Sequence, residues 1–334
     1  MFYFLSIYTL SIIYFSYYFK KKKYFLNYSG DNHQLFSNER NIPLVGGIFL
    51  ILPLLLLDYV NLTYCLFILL IFLLGIFSDQ KILISAKKRF IYQMILVFFS
   101  VIFLDLKILS SRLFFFDSFL DIYIFNLFFT TFCLLILING SNFIDGLNGL
   151  LLIYMLSVIF ILFKLGFIQE IFINKNILIY LLFFLTIIIF LNLTNLLMLG
   201  DSGAYVLSFF VGYSVIKSHN LNPDISPYFF ITLLWYPCFE NLFSIIRKIK
   251  SNFSPIIPDN SHLHQLIFKI IKKKTNKGKL IANNLSGFII CSVNLFILLL
   301  GSKYPQDTVF QIIIIFLSAT LYSLTFFILK TKKS

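Results

Sequence analysis

Four short polar clusters interrupt an otherwise apolar chain, and each contains side chains that can carry a charge or bind a charged group. The densest is NGSNFIDGLNGL at residues 139–150, which combines glycines, three asparagines and one aspartate between two long apolar runs. Polar and ionisable groups at a membrane boundary lose hydration, and they therefore usually mark a site. The other clusters are Ser78-Asp79, GDSG at residues 200–203, and His262-Leu263-His264.

Three aspartates, Asp79, Asp145 and Asp201, each adjoin one end of an apolar run. Carboxylates gathered from three helices would repel one another unless a cation lay between them. Hard oxygen ligands of this kind suit Mg²⁺, with Mn²⁺ as the alternative, and the amide oxygen of Asn142 adds another ligand. The competing interpretation is that each aspartate caps a helix, as Asp201 would if Ser202 lay in the first turn of the next span.

Two histidines, His262 and His264, form the fourth cluster, in the segment SPIIPDNSHLHQL. A spacing of two does not place both side chains on one helical face, so a loop or strand is favoured. Zinc would need further Cys or His ligands nearby, and the sequence offers none. The histidines could bind a phosphate together with Arg247, or they could be solvated loop residues.

The elements that must position these clusters are membrane-spanning helices. Apolar residues make up 59% of the 334-residue chain and charged residues only 12%, which a soluble domain could not accommodate on its surface. The runs are continuously apolar rather than alternating, which excludes a closed barrel. We predict an all-α integral membrane protein with about eleven transmembrane helices, at residues 2–19, 43–57, 62–77, 90–105, 122–138, 149–164, 176–192, 203–217, 228–246, 282–300 and 309–329.

The distribution of Lys and Arg predicts the orientation. Eleven spans divide the loops into two sets, and one set holds 21 of the 27 basic residues. By the positive-inside rule that set is cytoplasmic, so the N-terminus lies outside and the C-terminus inside. The first span, which is followed by its basic cluster, is expected to be an anchor and not a removable signal peptide. Residues 1–334 would form a single polytopic domain whose site lies in the cytoplasmic loops 78–89, 139–148, 193–202 and 247–281.

Other features narrow the function further. The net charge of +13 comes from residues beside membrane ends, where orientation and anionic lipid account for it, so nucleic acid is not an expected partner. The four isolated cysteines indicate neither a disulfide framework nor zinc. Pro237, Glu240 and Asn241 lie within one span, which predicts a kinked or broken helix and a functional carboxylate.

Taken together, the clusters resemble the polyprenyl-phosphate N-acetylhexosamine-1-phosphate transferases of glycosyltransferase family 4. NGSNFIDGLNGL is similar to the Asn-x-x-Asn-x-x-Asp-Gly element of that family, MLGDSGAY to Met-Gly-Asp-Ser-Gly, and HLHQ to His-x-His-His. GIFSDQKILISAKKRFIYQ resembles the Gly-x-x-Asp-Asp segment with its downstream basic residue and Gln, and PLVGGI resembles Pro-Arg-x-Gly-Gly. The resemblance runs from about residue 43 to residue 266, and the expected span count and orientation agree with it.

Five positions distinguish this chain within the family. Ser78 replaces the first Asp of the acidic pair, Leu44 replaces Arg, and Gln265 replaces the last His. Arg89 replaces a Lys, which keeps the charge but changes the donor geometry. Asn148, where the peptidoglycan enzymes have Asp, is similar to the branch that initiates O-antigen and related glycans.

The resemblance implies transfer of a sugar 1-phosphate from a UDP-sugar to polyprenyl (undecaprenyl) phosphate, with release of UMP, at the cytoplasmic face of the inner membrane. Asp201 and Asn142 would hold Mg²⁺, and Asp79 would act at the lipid phosphate. Asp145, His262 and His264 would complete the catalytic set with Asp79 and Asp201. The implied substrate-binding residues are Asn139, Asn148, Arg89, Arg247, Gly46 and Gly47.

Two other functions stay open at this stage. A multi-pass transporter or flippase should carry ionisable or helix-breaking groups near the bilayer midplane, whereas the acids here cluster at span ends. An inactive relative that serves as a scaffold is compatible with Ser78 and Gln265. The expected partners are a UDP-sugar, polyprenyl phosphate and the bilayer, and a homodimer is compatible with the sequence.

Overall fold

The computed structural model describes residues 2–26, 42–252, 261–275 and 278–331. Parts of the predicted cytoplasmic loop 247–281 therefore lie outside the described residues. The described chain is helical, with a short 3-10 turn at Ile168–Glu170 and two isolated β-bridges but no sheet. The helices are α1 (Phe2–Lys22), α2 (Gly46–Leu57), α3 (Leu62–Asp79), α4 (Ala86–Phe103), α5 (Phe114–Leu120), α6 (Tyr123–Ile144), α7 (Leu150–Lys164), α8 (Lys175–Leu193), α9 (Gly200–Leu221), α10 (Pro227–Lys250), α11 (Leu263–Thr275), α12 (Lys279–Gly301) and α13 (Thr308–Thr331).

Each predicted span overlaps one of these helices, while α5 and α11 lie in segments predicted as loops. Among the described residues, six helices are long and apolar enough to cross a membrane, namely α3, α6, α8, α10, α12 and α13. α2 and α7 are shorter apolar helices. The protein is therefore an all-helical, multi-pass membrane protein, and the total of eleven spans stays a prediction.

Two boundaries differ from the sequence prediction in a way that matters for the site. α6 continues to Ile144, so Asn139 and Asn142 are on its last turns and not in a loop. α9 begins at Gly200, which places Asp201 inside its first turn. Hydropathy ends a span where polar residues begin, but the backbone hydrogen bonds of a helix do not depend on side-chain polarity.

The helix α9 lies at the centre of the bundle and packs against α2, α3 and α6. Two glycines permit the closest approaches between helices. A Cβ atom at Gly75 in α3 would overlap the Cα atom of Ser202, and one at Gly140 in α6 would overlap the carbonyl of Pro237 in α10. Larger side chains at either glycine would separate the helices that carry the polar clusters.

Of the kink or break predicted at Pro237, the break does not occur: α10 is continuous from Pro227 to Lys250. Proline lacks the N–H that would bond to the carbonyl four residues earlier, which belongs to Leu233. The hydroxyl of Tyr154 in α7 donates to that carbonyl at 2.8 Å. Within an apolar bundle such a side-chain donor satisfies the freed acceptor, and the helix continues.

The loops gather at two opposite ends of the bundle. At the end that we call the opposite face, Arg112 donates to the carbonyls of Gln306 and Asp224 at 3.0 and 2.8 Å, and Ser226 N–H donates to Pro305 O at 3.0 Å. At the other end, the site face, the ends of α3, α6, α8 and α10 meet the starts of α4, α7, α9, α11 and α12. All four polar clusters lie at the site face.

Candidate active site

The site is built around the N-terminus of α9. Gly200 has φ +76°, a left-handed conformation that glycine adopts without strain, and it directs the first N–H groups of α9 toward α3. The carboxylate of Asp79 accepts hydrogen bonds from Asp201 N–H at 2.8 Å, Ser202 N–H at 3.0 Å and Ser202 Oγ at 2.7 Å. Asp79 therefore caps α9 from a neighbouring helix, and its charge favours the positive end of the helix dipole.

Asp201 lies in the first turn that Asp79 fixes. Its Oδ2 atom accepts a short hydrogen bond from Ser78 Oγ, and it forms an ion pair with Arg89, whose Nη1 lies 3.0 Å away. Arg89 Nη1 also donates to Ser78 Oγ at 2.7 Å. The Tyr205 hydroxyl donates to Oδ2 at 3.4 Å. Since every one of these contacts uses Oδ2, Oδ1 has no hydrogen-bond partner among the described residues, and the side chain keeps 23% of its surface exposed.

Asp145 lies close enough to Asp201 and Asp79 for their charges to act on it, and Asn142 lies one turn earlier, near the end of α6. Neither side chain makes a hydrogen bond within the part of the chain that the structure describes. Burial raises the pKa of Asp145 well above its usual range, and the negative charges of Asp201 and Asp79 raise it further. The three predicted acids therefore share one electrostatic environment, as expected for a site that receives a cation.

The donors present fit a hard divalent cation. Mg²⁺ characteristically takes one or two protein carboxylates and completes its coordination with water or phosphate oxygens. Asp201 Oδ1, Asp145 and the Asn142 amide are oxygen donors that no described protein group occupies. Over the described ranges, no group of three or more His, Cys, Asp or Glu side chains is arranged to hold a metal ion by itself. A cation here would thus depend on oxygens of a bound substrate.

His264 lies on the other side of the Asn142–Asp145 segment. A Cβ atom at Gly146 would lie 2.7 Å from His264 Nε2, so only glycine leaves room for this ring. His264 is 1% exposed, and neither ring nitrogen has a partner among the described residues. Burial lowers the pKa of His264 to about 3, so the ring is neutral at physiological pH.

His262 stacks on His264 with ring centroids 5.6 Å apart, and the Phe143 ring of α6 lies 5.1 Å from it. His264 lies in the first turn of α11 and His262 immediately before it. The two rings are therefore stacked at the start of a helix, and not along the strand that the sequence allowed. Gln265 accepts a hydrogen bond from His262 N–H at 3.2 Å. The glutamine that departs from the family motif therefore fixes the backbone of the first histidine.

Several predicted substrate-binding residues have mainly structural contacts. The Asn148 amide donates to Asn195 Oδ1 at 2.8 Å and to Asn284 Oδ1 at 3.1 Å, and Asn283 Oδ1 accepts from Asn148 N–H at 2.7 Å. Asn148 is 5% exposed. This asparagine network joins the starts of α7 and α12 to the end of α8, which leaves the Asn148 amide nitrogen no further donor for a ligand.

Gly46 and Gly47 begin α2 and pack against the backbone before and within the first turn of α9. Their N–H groups donate to Met198 O at 3.0 Å and Leu199 O at 3.2 Å, and a Cβ atom on either would collide with this backbone. Leu44, the departure from the family element, forms an isolated bridge with Met198. These residues position the Asp201 turn from the side opposite Asp79.

Two other predicted residues lie at the margins of the site. Asn139 donates to Gln93 Oε1 at 2.9 Å, which ties α6 to α4 beside Arg89. Arg247 lies at the last turns of α10, with its guanidinium 5.7 Å from the Phe326 ring of α13. The structure therefore brings the three aspartates, Arg89, Asn142 and both histidines to one end of the bundle, and it places Arg247 toward α13.

Three contributors were not among the predicted site residues. Tyr205 follows Asp201 by four residues, a spacing that brings the two side chains to one helix face, so it could have been found. Ser202 caps nothing in its own helix but donates to Asp79. Tyr322 of α13 donates to Glu240 at 2.6 Å, and its position in a long apolar run gives no local signal.

The fold and the site define a polytopic α-helical membrane protein. Its site combines carboxylate and guanidinium side chains at the helix ends of one face. Residues 61–219 match the model of the family described as glycosyl transferase family 4. Over 286 residues, the chain is 25% identical to an undecaprenyl-phosphate alpha-N-acetylglucosaminyl 1-phosphate transferase from Thermotoga maritima. The aligned region covers 84% of this chain and 82% of that relative. Both findings support the resemblance that the motifs indicated, to the polyprenyl-phosphate sugar-phosphate transferases of glycosyl transferase family 4.

Proposed function

We propose that this protein transfers a sugar 1-phosphate, of the N-acetylhexosamine type, from a UDP-sugar to polyprenyl phosphate. An oxygen of the lipid phosphate attacks the phosphorus that carries the sugar, and the bond from that phosphorus to the UMP oxygen breaks. The products are a polyprenyl-diphospho-sugar and UMP. The observation that carries the proposal is the convergence of Asp79, Asp201 and Arg89, at the start of α9, with Asp145 and the His262–His264 pair.

The arrangement suits phosphoryl transfer, in which positioning and charge stabilisation provide most of the catalysis. Asp201 and Asn142, with Asp145 beside them, would hold Mg²⁺, which neutralises charge on a diphosphate when it is bound. Arg89 is 29% exposed, so its guanidinium can meet a phosphate as well as Asp201. His262 and His264 would contact the phosphates or the sugar from the α11 side. Asp79 holds the α9 turn while it acts at the lipid phosphate.

The location of the site fits a reaction between a soluble and a membrane substrate. Polyprenyl phosphate stays in the bilayer, so its phosphate is presented at the ends of spanning helices, where the acids lie. We place this face in the cytoplasm and the protein in the inner membrane, where the reaction would begin assembly of a cell-surface glycan such as O-antigen. The basic loops of the site face support this orientation.

The direct test is incubation of the purified protein with polyprenyl phosphate, a panel of UDP-sugars and Mg²⁺. We expect UMP release and a lipid-linked sugar with at least one UDP-N-acetylhexosamine. If UMP forms equally well without lipid and no lipid-linked sugar appears, water is the acceptor and the protein is a hydrolase. If no UDP-sugar yields UMP, the scaffold or transporter interpretation gains support instead.

Activity should require a divalent cation. Without one, the carboxylate of Asp201 would face the diphosphate of the donor with uncompensated negative charge. We expect EDTA to abolish UMP release, and Mg²⁺ or Mn²⁺ but not Na⁺ to restore it after the chelator is removed. Full activity in EDTA would show that the acids have another role.

Accessibility labelling should separate the two faces. Ser85 and Ser251 lie exposed at the site face, and Ser118 lies exposed at the opposite face. After replacement of the four native cysteines, a cysteine at Ser85 or Ser251 should react with an impermeant maleimide only in inside-out vesicles, and one at Ser118 only in intact cells or spheroplasts. Labelling of Ser85 from the outside would reverse the proposed orientation. Ser141 and Ser202 are fully buried and unsuitable for this test.

A further inference from the structure

A cavity with charged walls opens at the opposite face of the bundle, at the far end of the helix that carries Asp201. Its volume is about 490 Å³, the size of a small-molecule site. Tyr213, Lys217 and Asn220, which share one side of α9, form one wall. Lys217 lies 16 residues after Asp201 in the same helix, a separation of about 24 Å at the α-helical rise. The cavity is therefore separate from the candidate active site.

Asp58 is the buried carboxylate of this cavity. It directly follows the last residue of α2, it lines the cavity, and it is 6% exposed. Burial raises the pKa of Asp58, and a hydrogen bond from the Asn61 side chain offsets this only in part. Within the described part of the chain, no Lys, Arg or His forms an ion pair with Asp58. A buried carboxylate without a cation is unfavourable, so the cavity favours a ligand that brings a positive group to Asp58.

Lys217 provides the opposite charge in the same cavity. Its Nζ donates to Leu104 O at 3.1 Å and lies 6.0 Å from the centroid of the Tyr213 ring. Neither contact neutralises the ammonium charge, and Lys217 forms no ion pair with any carboxylate of the described residues. The nearby Asp105 is already paired with Lys107 at 2.7 Å. Asp58 and Lys217 thus contribute two uncompensated charges of opposite sign to one cavity.

This pair of charges selects the class of ligand. Lys217 repels a simple cation and Asp58 repels a simple anion, whereas a zwitterion compensates for both. In the described ranges, no group of three or more His, Cys, Asp or Glu side chains is arranged to hold a metal ion, which favours an ammonium group at Asp58. Asn220 Oδ1, a buried acceptor of the cavity wall with no hydrogen-bond partner among the described residues, can accept a further ammonium N–H.

The rim of the cavity indicates where such a ligand comes from. Leu62 in the first turn of α3 and Phe103 at the end of α4 are largely exposed, and so is Leu109 of the cavity wall. On a membrane protein, exposed apolar side chains of this kind contact acyl chains, so a headgroup bound in the cavity can stay attached to its lipid. A phosphodiester that carries an ammonium group is a zwitterion available at a bilayer surface, and Lys is an effective partner for phosphate.

We propose that this cavity binds an ammonium phosphodiester, the headgroup chemistry of phosphatidylethanolamine, with the ammonium group at Asp58 and the phosphate at Lys217. Binding here uses none of the residues of the candidate active site, so it goes beyond the proposed transfer reaction and does not depend on it.

Native mass spectrometry of the delipidated full-length protein tests this site. The protein is titrated with phosphatidylethanolamine and with phosphatidylglycerol, which has the phosphodiester but no ammonium group. We expect phosphatidylethanolamine to bind about tenfold more tightly, since it alone forms a charge-assisted hydrogen bond with Asp58. Asp58→Asn, which keeps the shape but removes the charge, should abolish this preference. Lys217→Gln should weaken binding of both lipids by about tenfold.

The matched control is Asp117→Asn at the same face. The Asp117 carboxylate accepts from Ser110 and Ser111, so its substitution should leave the lipid preference unchanged. Equal binding of the two lipids, unaffected by the substitutions at Asp58 and Lys217, would show non-specific lipid contact and overturn the proposal.

Thermal unfolding separates a binding residue from a structural one. Without lipid, Asp58→Asn should be at least as stable as the wild type, because it removes an uncompensated buried charge. Phosphatidylethanolamine should raise the melting temperature of the wild type and not that of Asp58→Asn. If Asp58→Asn melts lower without lipid and phosphatidylethanolamine raises both melting temperatures equally, Asp58 is structural and the proposal fails.

A soluble competitor identifies the source of the ligand. Glycerophosphoethanolamine carries the same headgroup without acyl chains. Competition at millimolar concentrations only would support the site and identify the ligand as a membrane lipid. Binding as tight as that of phosphatidylethanolamine would support the site and identify the ligand as a soluble ester. If the competitor has no effect up to its solubility limit, the headgroup does not determine binding and the proposal is wrong.

Discussion

Replacement of Asp201 by Asn should lower UMP release by about 100-fold or more while the protein stays folded in the membrane. Asparagine keeps one oxygen that can accept from Ser78 and Arg89, so the local hydrogen bonds can persist. The substitution removes the negative charge at the position where a cation and a diphosphate would meet. Loss of one electrostatic stabiliser of this kind typically costs 10²- to 10³-fold, or about 2.7–4 kcal/mol.

The control for Asp201→Asn is the same substitution at Asp117. That aspartate lies at the opposite face, where it accepts hydrogen bonds from Ser110 and Ser111. Asp117→Asn should affect stability modestly and leave turnover unchanged. The measurement is UMP release at equal abundance in membranes, with thermal unfolding of each variant. Near-normal turnover of Asp201→Asn would refute the assignment of Asp201 to the cation.

The second large effect is expected at Asp79, in contrast with its neighbour Ser78. Asp79→Asn should cost at least about 100-fold, because it removes a charge at the reacting phosphates and also places an amide NH₂ against the N–H groups of α9. Ser78→Ala should cost roughly tenfold or less. It removes a neutral hydroxyl, worth about 0.5–1.5 kcal/mol net, while the Arg89–Asp201 ion pair remains.

Stability separates the two parts of the Asp79 effect. A lost helix cap lowers the free energy of unfolding by about 0.5–2 kcal/mol, so Asp79→Asn should melt at a lower temperature than Asp201→Asn. Turnover and melting temperature should be compared for Ser78→Ala, Asp79→Asn and Asp201→Asn in the same lipid. Equal and severe losses at Ser78 and Asp79 would show that the serine has a catalytic role. Full activity in both variants would favour the scaffold or transporter interpretation.

The sequence by itself determined which long apolar segments become helices and where the polar chemistry must lie, although α5 and α11 were predicted as loops. The hydrophobic effect and the need to satisfy backbone groups in lipid act on every residue of an apolar run. Composition alone therefore predicts a helix at each long apolar run. Desolvation cost makes each polar cluster conspicuous in such a chain. The motifs around Asp79, Asp145, Asp201 and His262 therefore indicate the family from the sequence alone.

Only the tertiary structure decided which partner each polar group has. Asp79 caps a helix that begins 121 residues later in the chain, at Gly200, and Ser78 and Arg89 share one oxygen of Asp201. Asn148 looked like a ligand-binding residue, but its amide closes a network with other asparagines. Local sequence cannot distinguish a polar group that awaits a ligand from one that is satisfied by a distant helix, because both have the same hydration cost.

Glu240 shows both sides of this division. Its charge within an apolar span was visible in the sequence and indicated a functional group, as any buried carboxylate does. Its partners, His262 and Tyr322, come from segments 22 and 82 residues away and meet only because α10 packs against α13 and the start of α11. Burial and charge are properties that one residue reveals by itself, whereas a hydrogen bond between helices depends on how the whole bundle packs.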